Sequence, residues 1–308
     1  MTSVSTSGFY DNAINYMTQL QKQTQQLQTQ ISTGNKLSSS SQDPVAASQM
    51  RVLQRQDALA TAVSDVSDAT KTNLSLTDST LSQFTNVVTN LHTLAVQAAN
   101  STNSATDLAA IGTSMQAYYQ NLLSLANTKD ANGNALFGGN GNGTAYSIDA
   151  SGNATYTGAA TASTVSLGPG LSTTAGVTGP EFLNFQSGGS AQDLLSVVKN
   201  LADTLAGATT ATAASAQSAA SSALTTLTDG LTSISTAQTV VGTRLDWIST
   251  TSNIQTQLKT ARQTSESTVG GTDLTTAAAT LSQQMTVLEA SQASFVKLSS
   301  LSLFNNLS

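Results

Sequence analysis

The chain has no cysteine and only one histidine among 308 residues. Without cysteine it can form no disulfide, no thiol nucleophile and no thiolate metal site. A single imidazole also leaves a zinc site short of its usual nitrogen and sulfur ligands. His92, the one histidine, lies in a long apolar-periodic stretch without a nucleophile elbow, so we expect a structural or surface role for it. The sequence predicts no enzyme, no catalytic residue, no cofactor and no metal.

Charged residues are also scarce, at 9% of the chain against about a quarter in an ordinary globular protein. Ser, Thr, Gln, Asn and Ala take their place, and such a surface can pack against copies of itself without desolvating like charges. The net charge of −6 disfavours nucleic acid and anionic membrane as partners, because both require basic patches. No segment approaches 18 apolar residues, so we expect no membrane-spanning helix. We also expect no cleavable secretory signal, because no basic segment precedes an apolar one at the N-terminus.

Two glycine-rich loops lack the spacing of a ligand site. Residues 138–143 have neither the dinucleotide-binding spacing nor the Gly-Lys-Thr ending of a phosphate loop. The segment that begins at Asp130 starts like a calcium loop, but it lacks glycine at the sixth place and glutamate at the twelfth. We interpret the Asp130 segment as a hairpin turn, and likewise the similar segment at Asp149.

Long periodic segments occupy most of the chain. Between Val45 and Ile111 there is neither glycine nor proline, and apolar residues recur three, four or seven apart, which predicts a helix over 45–99 and a second over 107–129. Ser190 to Asp193 are interpreted as a capping box that opens another helix. A further long helix is predicted over 216–269. Alternation over 144–148 and 154–157 predicts a hairpin, while Pro169, Gly170, Gly179 and Pro180 mark loops.

The two ends of the chain carry matching heptad patterns. Apolar residues alternate three and four apart in both, which is the spacing of a coiled-coil seam. The first seam is Tyr10, Ala13, Met17, Leu20, Thr24, Leu27 and Ile31, and the second is Leu274, Ala278, Leu281, Met285, Leu288, Gln292 and Phe295. Three heptads are marginal as an isolated helix in water, so each seam needs a partner. Breaks at Gly34 and at Gly270 and Gly271 separate both seams from the long helices.

The predicted fold class is mainly α: a long-helix rod bundle with terminal coiled-coil segments and a small inserted β-rich domain. The predicted segments are an N-terminal coiled-coil segment at 1–40, rod helices at 41–130, a β-rich outer insert at 131–189, rod helices at 190–269 and a C-terminal coiled-coil segment at 270–308. We expect the seams to pair with other subunits. An ordinary helix pair within one chain is the alternative.

Short motifs at both ends resemble those of the flagellin-like superfamily. Those near the N-terminus are Ser32 to Leu37, which contains Gly34, and the signature Asp43, Pro44, Val45, Ala46 and Ala47. The others are 122–127, 136–139, 241–245, 288–291 and the ending 301–307. The Asp-Pro-Val-Ala-Ala form is similar to that of the hook–filament junction family, the hook-associated proteins of type 3. The usual acidic cluster near the C-terminal seam is reduced here to Glu266 and Asp273.

This resemblance implies a structural adaptor of the bacterial flagellum, outside the cell, exported by the flagellar type III apparatus. It implies an inner domain of paired terminal segments, a rod domain and an outer β domain. The implied partners are the first hook-associated protein, flagellin, copies of the chain in a ring and a flagellar export chaperone. The alternatives are a flagellin filament subunit, and a secreted helical adhesin or effector with the insert as its binding head.

The predicted assembly interface consists of the apolar seam residues and two residues of the C-terminal motif. They are Tyr10, Met17, Leu20, Leu27, Ile31, Leu274, Leu281, Met285, Leu288, Phe295, Leu301 and Phe304.

Overall fold

The computed structural model describes residues 3–304 except Asn142, and the side chains of residues 8–298 with the same exception. Helices dominate this described part, and they follow the apolar periodicity of the sequence. They are α1 (Ser3–Thr33), α2 (Pro44–Ala98), α3 (Ala105–Ala126), α4 (Gly179–Leu183), α5 (Leu194–Ala206), α6 (Ala213–Gly270) and α7 (Leu274–Phe304). The predicted mainly α fold is confirmed, and both glycine breaks separate helices as predicted.

Six short strands form three separate antiparallel hairpins. They are β1 (Tyr146–Ile148) with β2 (Ala154–Tyr156), β3 (Thr164–Gly168) with β4 (Leu171–Thr174), and β5 (Asn184–Ser187) with β6 (Ser190–Asp193). The first hairpin is the predicted one, with Tyr146 opposite Tyr156. The second contains an irregularity between Ser166 and Gly168.

Two local predictions between 179 and 193 are wrong. Ser190 to Asp193 form strand β6 rather than a capping box, and Asp193 itself is the N-cap of α5, accepting from the backbone N–H of Ser196 at 2.7 Å. Gly179 and Pro180 begin the short helix α4 rather than a loop. Pro180 suits the first turn, where its missing N–H would have no helical partner.

The chain divides into two compact units. The central unit comprises residues 60–255, and the terminal unit comprises residues up to Leu59 and from Thr256 onwards. Helices α2 and α6 each contribute to both units. These divisions do not coincide with the predicted segment borders at 40 and 270, and the five-segment scheme stays a prediction.

One hydrophobic core fills the central unit. Helices α2, α3, α5 and α6 all contribute fully buried side chains to it, and so does the region between α3 and α5. Phe84 of α2 packs against Phe137 and Phe182, with ring centroids 6.0 and 5.2 Å away. Aromatic pairs in such tilted and edge-on geometry add to the area that they bury. The hairpin region therefore has no separate interior, because its aromatic residues complete the core of the helices.

The first hairpin is held to the end of α3 by one amide side chain. Asn127 donates its Nδ2–H to the carbonyl of Tyr146 at 3.0 Å, and its Oδ1 accepts from the backbone N–H of Tyr146 at 2.9 Å. The side chain thus takes the place of a neighbouring strand. Tyr119 of α3 also donates its hydroxyl to the carbonyl of Gly152 in the hairpin turn, at 2.7 Å.

The terminal unit contains α1, α7, the start of α2 and the end of α6. Helices α1 and α7 pack against each other. The start of α2 and the end of α6 are joined by an ion pair between Arg262 Nε and Asp57 Oδ1. Within the part of the chain that the structure describes, no helix is long and apolar enough to cross a membrane.

Candidate assembly interface

Helix α1 presents the predicted seam. Every third or fourth residue from Tyr10 to Ile31 is shielded more than its neighbours, and Thr24 is buried at the centre. Its hydroxyl donates to the carbonyl of Leu20 at 2.8 Å, which leaves no unpaired polar group in the seam at this point. The predicted interface residues Tyr10, Met17, Leu20, Leu27 and Ile31 all lie on this face.

Helix α7 uses a different register from the predicted one. Its shielded face contains Leu281, Leu288 and Phe295, as predicted, but the positions between them are small or polar. These positions are Ala277, Gln284 and Ser291. The other two predicted residues, Leu274 and Met285, are 52% and 43% exposed. They therefore lie outside the face of α7 that contacts α1, because two stripes with the same three-four spacing share three residues on this helix. Their place in the assembly interface stays a prediction.

The two terminal helices contact each other within one chain. The rings of Tyr10 and Phe295 meet edge to face with centroids 5.5 Å apart, and the Tyr10 hydroxyl donates to the carbonyl of Leu298 at 3.3 Å. Nearer the middle, Gln284 Nε2 lies 3.5 Å from Gln23 Oε1. The helix pair within one chain, considered as the alternative, is thus present in the structure.

This pair leaves its apolar residues incompletely covered. Among the described residues of the terminal unit, the buried apolar side chains are alanines: Ala46 and Ala47 of α2 and Ala277 of α7. Between α1 and α7 an open groove of about 580 Å³ remains. Its apolar lining includes Phe9, Tyr16, Leu20, Val287, Phe295 and Leu298. Tyr16 is 73% exposed and Phe9 53%, so the groove presents aromatic surface that no described residue covers.

Further apolar side chains are exposed away from the groove. Ile14 on α1 and Val296 on α7 are both among them, together with Leu274 and Met285. Exposed apolar surface of this extent on a monomer marks an interaction site. The predicted interface residues Leu301 and Phe304 lie in the last turn of α7, outside the residues whose side chains the structure describes.

The two glycine breaks meet and form a single joint. We use this name for residues 34–36 and 270–272. The backbone N–H of Lys36 donates to the carbonyl of Gly270 at 2.7 Å, and the N–H of Thr272 donates to the carbonyl of Gly34 at 2.9 Å. Gly34 has a φ of +70°, a left-handed conformation that a side chain would strain. Helix α1 therefore ends, and helix α7 begins, next to one hydrogen-bonded joint.

Aspartates cap the helices that leave the joint region. Asp43 Oδ1 accepts from the backbone N–H of Ala46 at 3.0 Å, and Pro44 is the first residue of α2. Of the remaining signature residues, Ala46 and Ala47 are buried and Val45 is 69% exposed. Asp273 caps α7, accepting from the hydroxyl of Thr276 at 2.7 Å, and this hydrogen bond lowers the pKa of Asp273.

Nothing in the described part of the chain points to a metal centre. No group of three or more His, Asp or Glu side chains is placed to hold a metal ion there. His92 lies partly buried in the stretch of α2 that belongs to the central unit. The Asp130 and Asp149 segments are turns, in which each carboxylate accepts from two backbone N–H groups.

Comparison with known proteins identifies relatives for the N-terminal part. Residues 4–142 match the bacterial flagellin N-terminal helical region. Flagellar hook-associated protein 3 of Salmonella typhimurium is 33% identical over 136 residues, which is 44% of this chain and 43% of that protein. The Escherichia coli protein of the same name is 35% identical over 135 residues, with the same two shares. The match therefore spans less than half the length of these curated relatives.

Solved structures show the same fold over most of the chain. A putative flagellar hook-associated protein from Vibrio parahaemolyticus superposes with a TM-score of 0.66 at 20% identity, covering 74% of this chain and 99% of that one. Flagellar hook associated protein-3 from Legionella pneumophila gives a TM-score of 0.64 at 15% identity, covering 70% and 97%. The resemblance to the hook–filament junction family that the sequence motifs indicated is confirmed.

Sequence reasoning missed part of the interface region. Tyr16 and Val287 line the groove but belong to neither predicted seam. Ala277, Gln284 and Ser291 were missed because a search for large apolar residues passes over small and polar ones. These three residues are seven apart, and together with Leu281, Leu288 and Phe295 they alternate four and three apart. That spacing was the signal available in the sequence.

Proposed function

We propose that the chain is a structural subunit of the bacterial flagellum at the junction between hook and filament. Helices α1 and α7 would be its assembly elements. The observation that carries this proposal is the open apolar groove between them, in a unit whose larger apolar side chains stay partly exposed wherever their burial is described. The names of the relatives support the flagellar location, and the shared fold supports a structural role.

The groove suits a helix supplied by a neighbouring subunit. An amphipathic helix binds in a groove of this kind through apolar residues spaced along one face. Tyr16, Phe9 and Val287 would each contribute about 1 to 2 kcal/mol on becoming buried, before the cost of ordering is subtracted. In this proposal the α1–α7 contact within one chain persists in the assembly, because it leaves the groove open for a helix of the neighbouring subunit.

Many threonine hydroxyls on the helices are already hydrogen-bonded within their own helix, which favours such packing. Threonine hydroxyls of α6 donate to carbonyls four residues earlier, as at Thr228, Thr232 and Thr236. A hydroxyl that is hydrogen-bonded inside its own helix loses little when a neighbour displaces water from it. Because the chain has few charged residues, contacts between copies would cost little free energy of desolvation.

The proposed partners follow from this position in the flagellum. They are the first hook-associated protein on one side, flagellin on the other and copies of the chain beside it in a ring. Export through the flagellar type III apparatus with the help of a chaperone belongs to the same proposal. The five predicted segments and the interface residues, including Leu301 and Phe304, are proposed in that role.

Two alternatives are less well supported. For a flagellin filament subunit, the family match covers the N-terminal helical region, but the curated relatives carry the name hook-associated protein 3. An adhesin with the insert as a separate binding head would need a head with its own core. The hairpin region instead shares one core with the helices of the central unit.

The test is a double variant of the groove, expressed in place of the native protein in a strain whose parent is motile and from which the native gene has been deleted. Tyr16→Asp with Val287→Asp places two charges on surface that is exposed in the monomer, so the chain should fold normally. We expect export to the medium to be unchanged, while filament formation and motility fall at least tenfold. Ile14→Asp is the matched control, because Ile14 is exposed on α1 but does not line the groove.

Three outcomes decide the proposal. Hooks that lack filaments, with flagellin lost to the medium, support it. Normal filaments on cells that produce only the double variant would contradict the role of the groove. Normal filaments on cells from which the gene is deleted would contradict the junction function itself.

A further inference from the structure

Helix α2 carries an exposed apolar stripe in the terminal unit. Val45, Val52 and Leu59 are seven residues apart and between 42% and 69% exposed. Heptad spacing keeps them on one face of the helix, with a drift of only about 20° per step. We call these three residues the α2 stripe. It faces away from the buried residues Ala46 and Ala47, and it is separate from the groove between α1 and α7.

Helix α6 carries a stripe of the same spacing in the central unit. Val240, Trp247 and Ile254 are also seven residues apart and between 39% and 43% exposed. Trp247 is the only tryptophan in the chain. An exposed tryptophan at the centre of an apolar stripe is typical of the residues that dominate binding energy in protein interfaces. We call these three residues the α6 stripe.

The charges beside the two stripes are opposite. Arg51 and Arg55 lie exposed along the α2 stripe and form no ion pair within the described residues, whereas exposed Asp246 lies beside the α6 stripe. The other flank of the α6 stripe carries Arg244, which is half-buried and donates to the carbonyl of Gly176 within its own unit, so Asp246 is the exposed charge there. The same contrast holds for whole units. Residues 60–255 contain four basic and eleven acidic side chains, while the rest of the chain contains seven basic and six acidic ones.

We propose that the α2 stripe of one copy docks on the α6 stripe of a second copy, with the two helices antiparallel. This inference rests on the proposed function, since it names a contact between copies in the assembled junction. Opposite charges beside the two apolar stripes favour pairing of an α2 stripe with an α6 stripe. They disfavour pairing of two α2 stripes, in which arginines would face arginines. A contact between two different surfaces is heterologous, and its repetition builds a ring or a helical array rather than a closed pair.

The antiparallel direction follows from where the charges lie. Arg51 comes one residue before Val52, and Asp246 comes one residue before Trp247, so each charge lies on the same flank of its stripe. When two helices pack through their stripes, residues that immediately precede a stripe residue on each helix face each other only if the helices run antiparallel. Val52 is then opposite Trp247, Val45 is opposite Ile254, and Leu59 is opposite Val240.

Docking on the α6 stripe leaves few polar groups unsatisfied. Thr236 and Thr243 lie on the same face, and their hydroxyls donate within the helix to Thr232 and Thr239 at 2.9 and 2.8 Å. They need no water in order to stay hydrogen-bonded, so a second helix can cover them at small cost.

Cysteine cross-linking tests the contact and its direction together, because the native chain has no cysteine. Two full-length single-cysteine variants are expressed together in a strain that lacks the native gene. Flagella are isolated with their hooks, and disulfides are formed with a mild oxidant. The antiparallel pair is Val45→Cys with Ile254→Cys. Its matched control is Val45→Cys with Val240→Cys, because the 14 residues between the two α6 positions separate them by about 21 Å.

We expect a cross-linked dimer from the antiparallel pair at a yield at least tenfold above that of the control pair and above that of Val45→Cys alone. Adding Arg51→Glu and Arg55→Glu should reduce the yield severalfold, and adding Asp246→Arg in the partner copy should restore it. Restoration by a second charge change is a result that a merely damaged fold would not give.

This experiment distinguishes failure of the proposed function from failure of the proposed contact between the two stripes. If the chain is absent from isolated flagella, the proposed function fails and this inference fails with it. If the chain is present but the control pair cross-links as well as the antiparallel pair, the inference alone is overturned. Cross-linking of Val45→Cys mainly to itself would also overturn the inference, because it would show an isologous contact.

Discussion

The central and terminal units bury their apolar residues to very different degrees. In the central unit Phe84, Phe137 and Phe182 are wholly buried in one aromatic cluster. In the terminal unit every apolar side chain larger than alanine whose burial is described stays partly exposed. Because stability depends on apolar area removed from water, the central unit gains more of its stability from its own core than the terminal unit does. One chain thus combines a buried core with a unit whose described larger apolar side chains stay partly exposed.

Truncating one large side chain in each unit should give the sharpest contrast. Phe84→Ala removes a fully buried ring and should reduce the free energy of unfolding of the central unit by about 3–5 kcal/mol. Leu20→Ala removes a partly exposed side chain and should reduce the stability of the terminal pair by about 1 kcal/mol. Urea unfolding followed by Trp247 fluorescence reports on the central unit, and far-UV circular dichroism reports on the whole chain. Equal losses would contradict the comparison.

Adding a methyl group at one glycine in each unit should change stability in opposite directions. A Cβ on Gly112 of α3 would lie 2.2 Å from the backbone nitrogen of Ala206, so Gly112→Ala should cost about 1–3 kcal/mol by forcing α3 and α5 apart. A Cβ on Gly8 of α1 would meet nothing within 4 Å. Gly8→Ala should therefore stabilise α1 by up to about 1 kcal/mol through its better helix propensity. Thermal unfolding of both variants measures the two signs.

Acid should weaken one helix cap in each unit, with the smallest effect of the three. Hydrogen bonds from Ser104 lower the pKa of Asp107 at the start of α3, as those from Thr276 lower the pKa of Asp273 at the start of α7. A lowered folded-state pKa gives stability that is present above the ordinary value of 3.8 and is lost as pH falls through the folded value.

The corresponding variants are Asp107→Asn and Asp273→Asn, in which the cap no longer titrates. Each should be slightly less stable than the parent at pH 6, and this difference should shrink as pH falls below 3.8, because the carboxylate of the parent loses its charge. Thermal unfolding at pH 6 and at a series of acidic pH values makes the comparison. A difference from the parent that stays constant across this range would show that the carboxylate charge has no part in the cap.

Local patterns predicted the long helices and their breaks correctly. Asp43 and Pro44 begin α2 because a capping carboxylate and a fixed φ act within one turn. The face of α1 from Tyr10 to Ile31 was also readable from the three-four spacing of its residues. The prediction failed where two local patterns compete. Ser190 to Asp193 resemble the start of a helix but form a strand that pairs with β5. The backbone hydrogen bonds from β5 favour the strand, and the local sequence alone does not show that partner.

The sequence by itself determined which segments are helical, where glycine interrupts them and that the ends carry apolar stripes. Those properties follow from backbone propensity and side-chain period, which are local. Only the tertiary structure decided which of two overlapping stripes on α7 faces α1, that both breaks close one joint, and which stripes stay exposed. Such choices depend on contacts between residues nearly 300 positions apart, and a periodic pattern gives the face of a helix without identifying what will cover it.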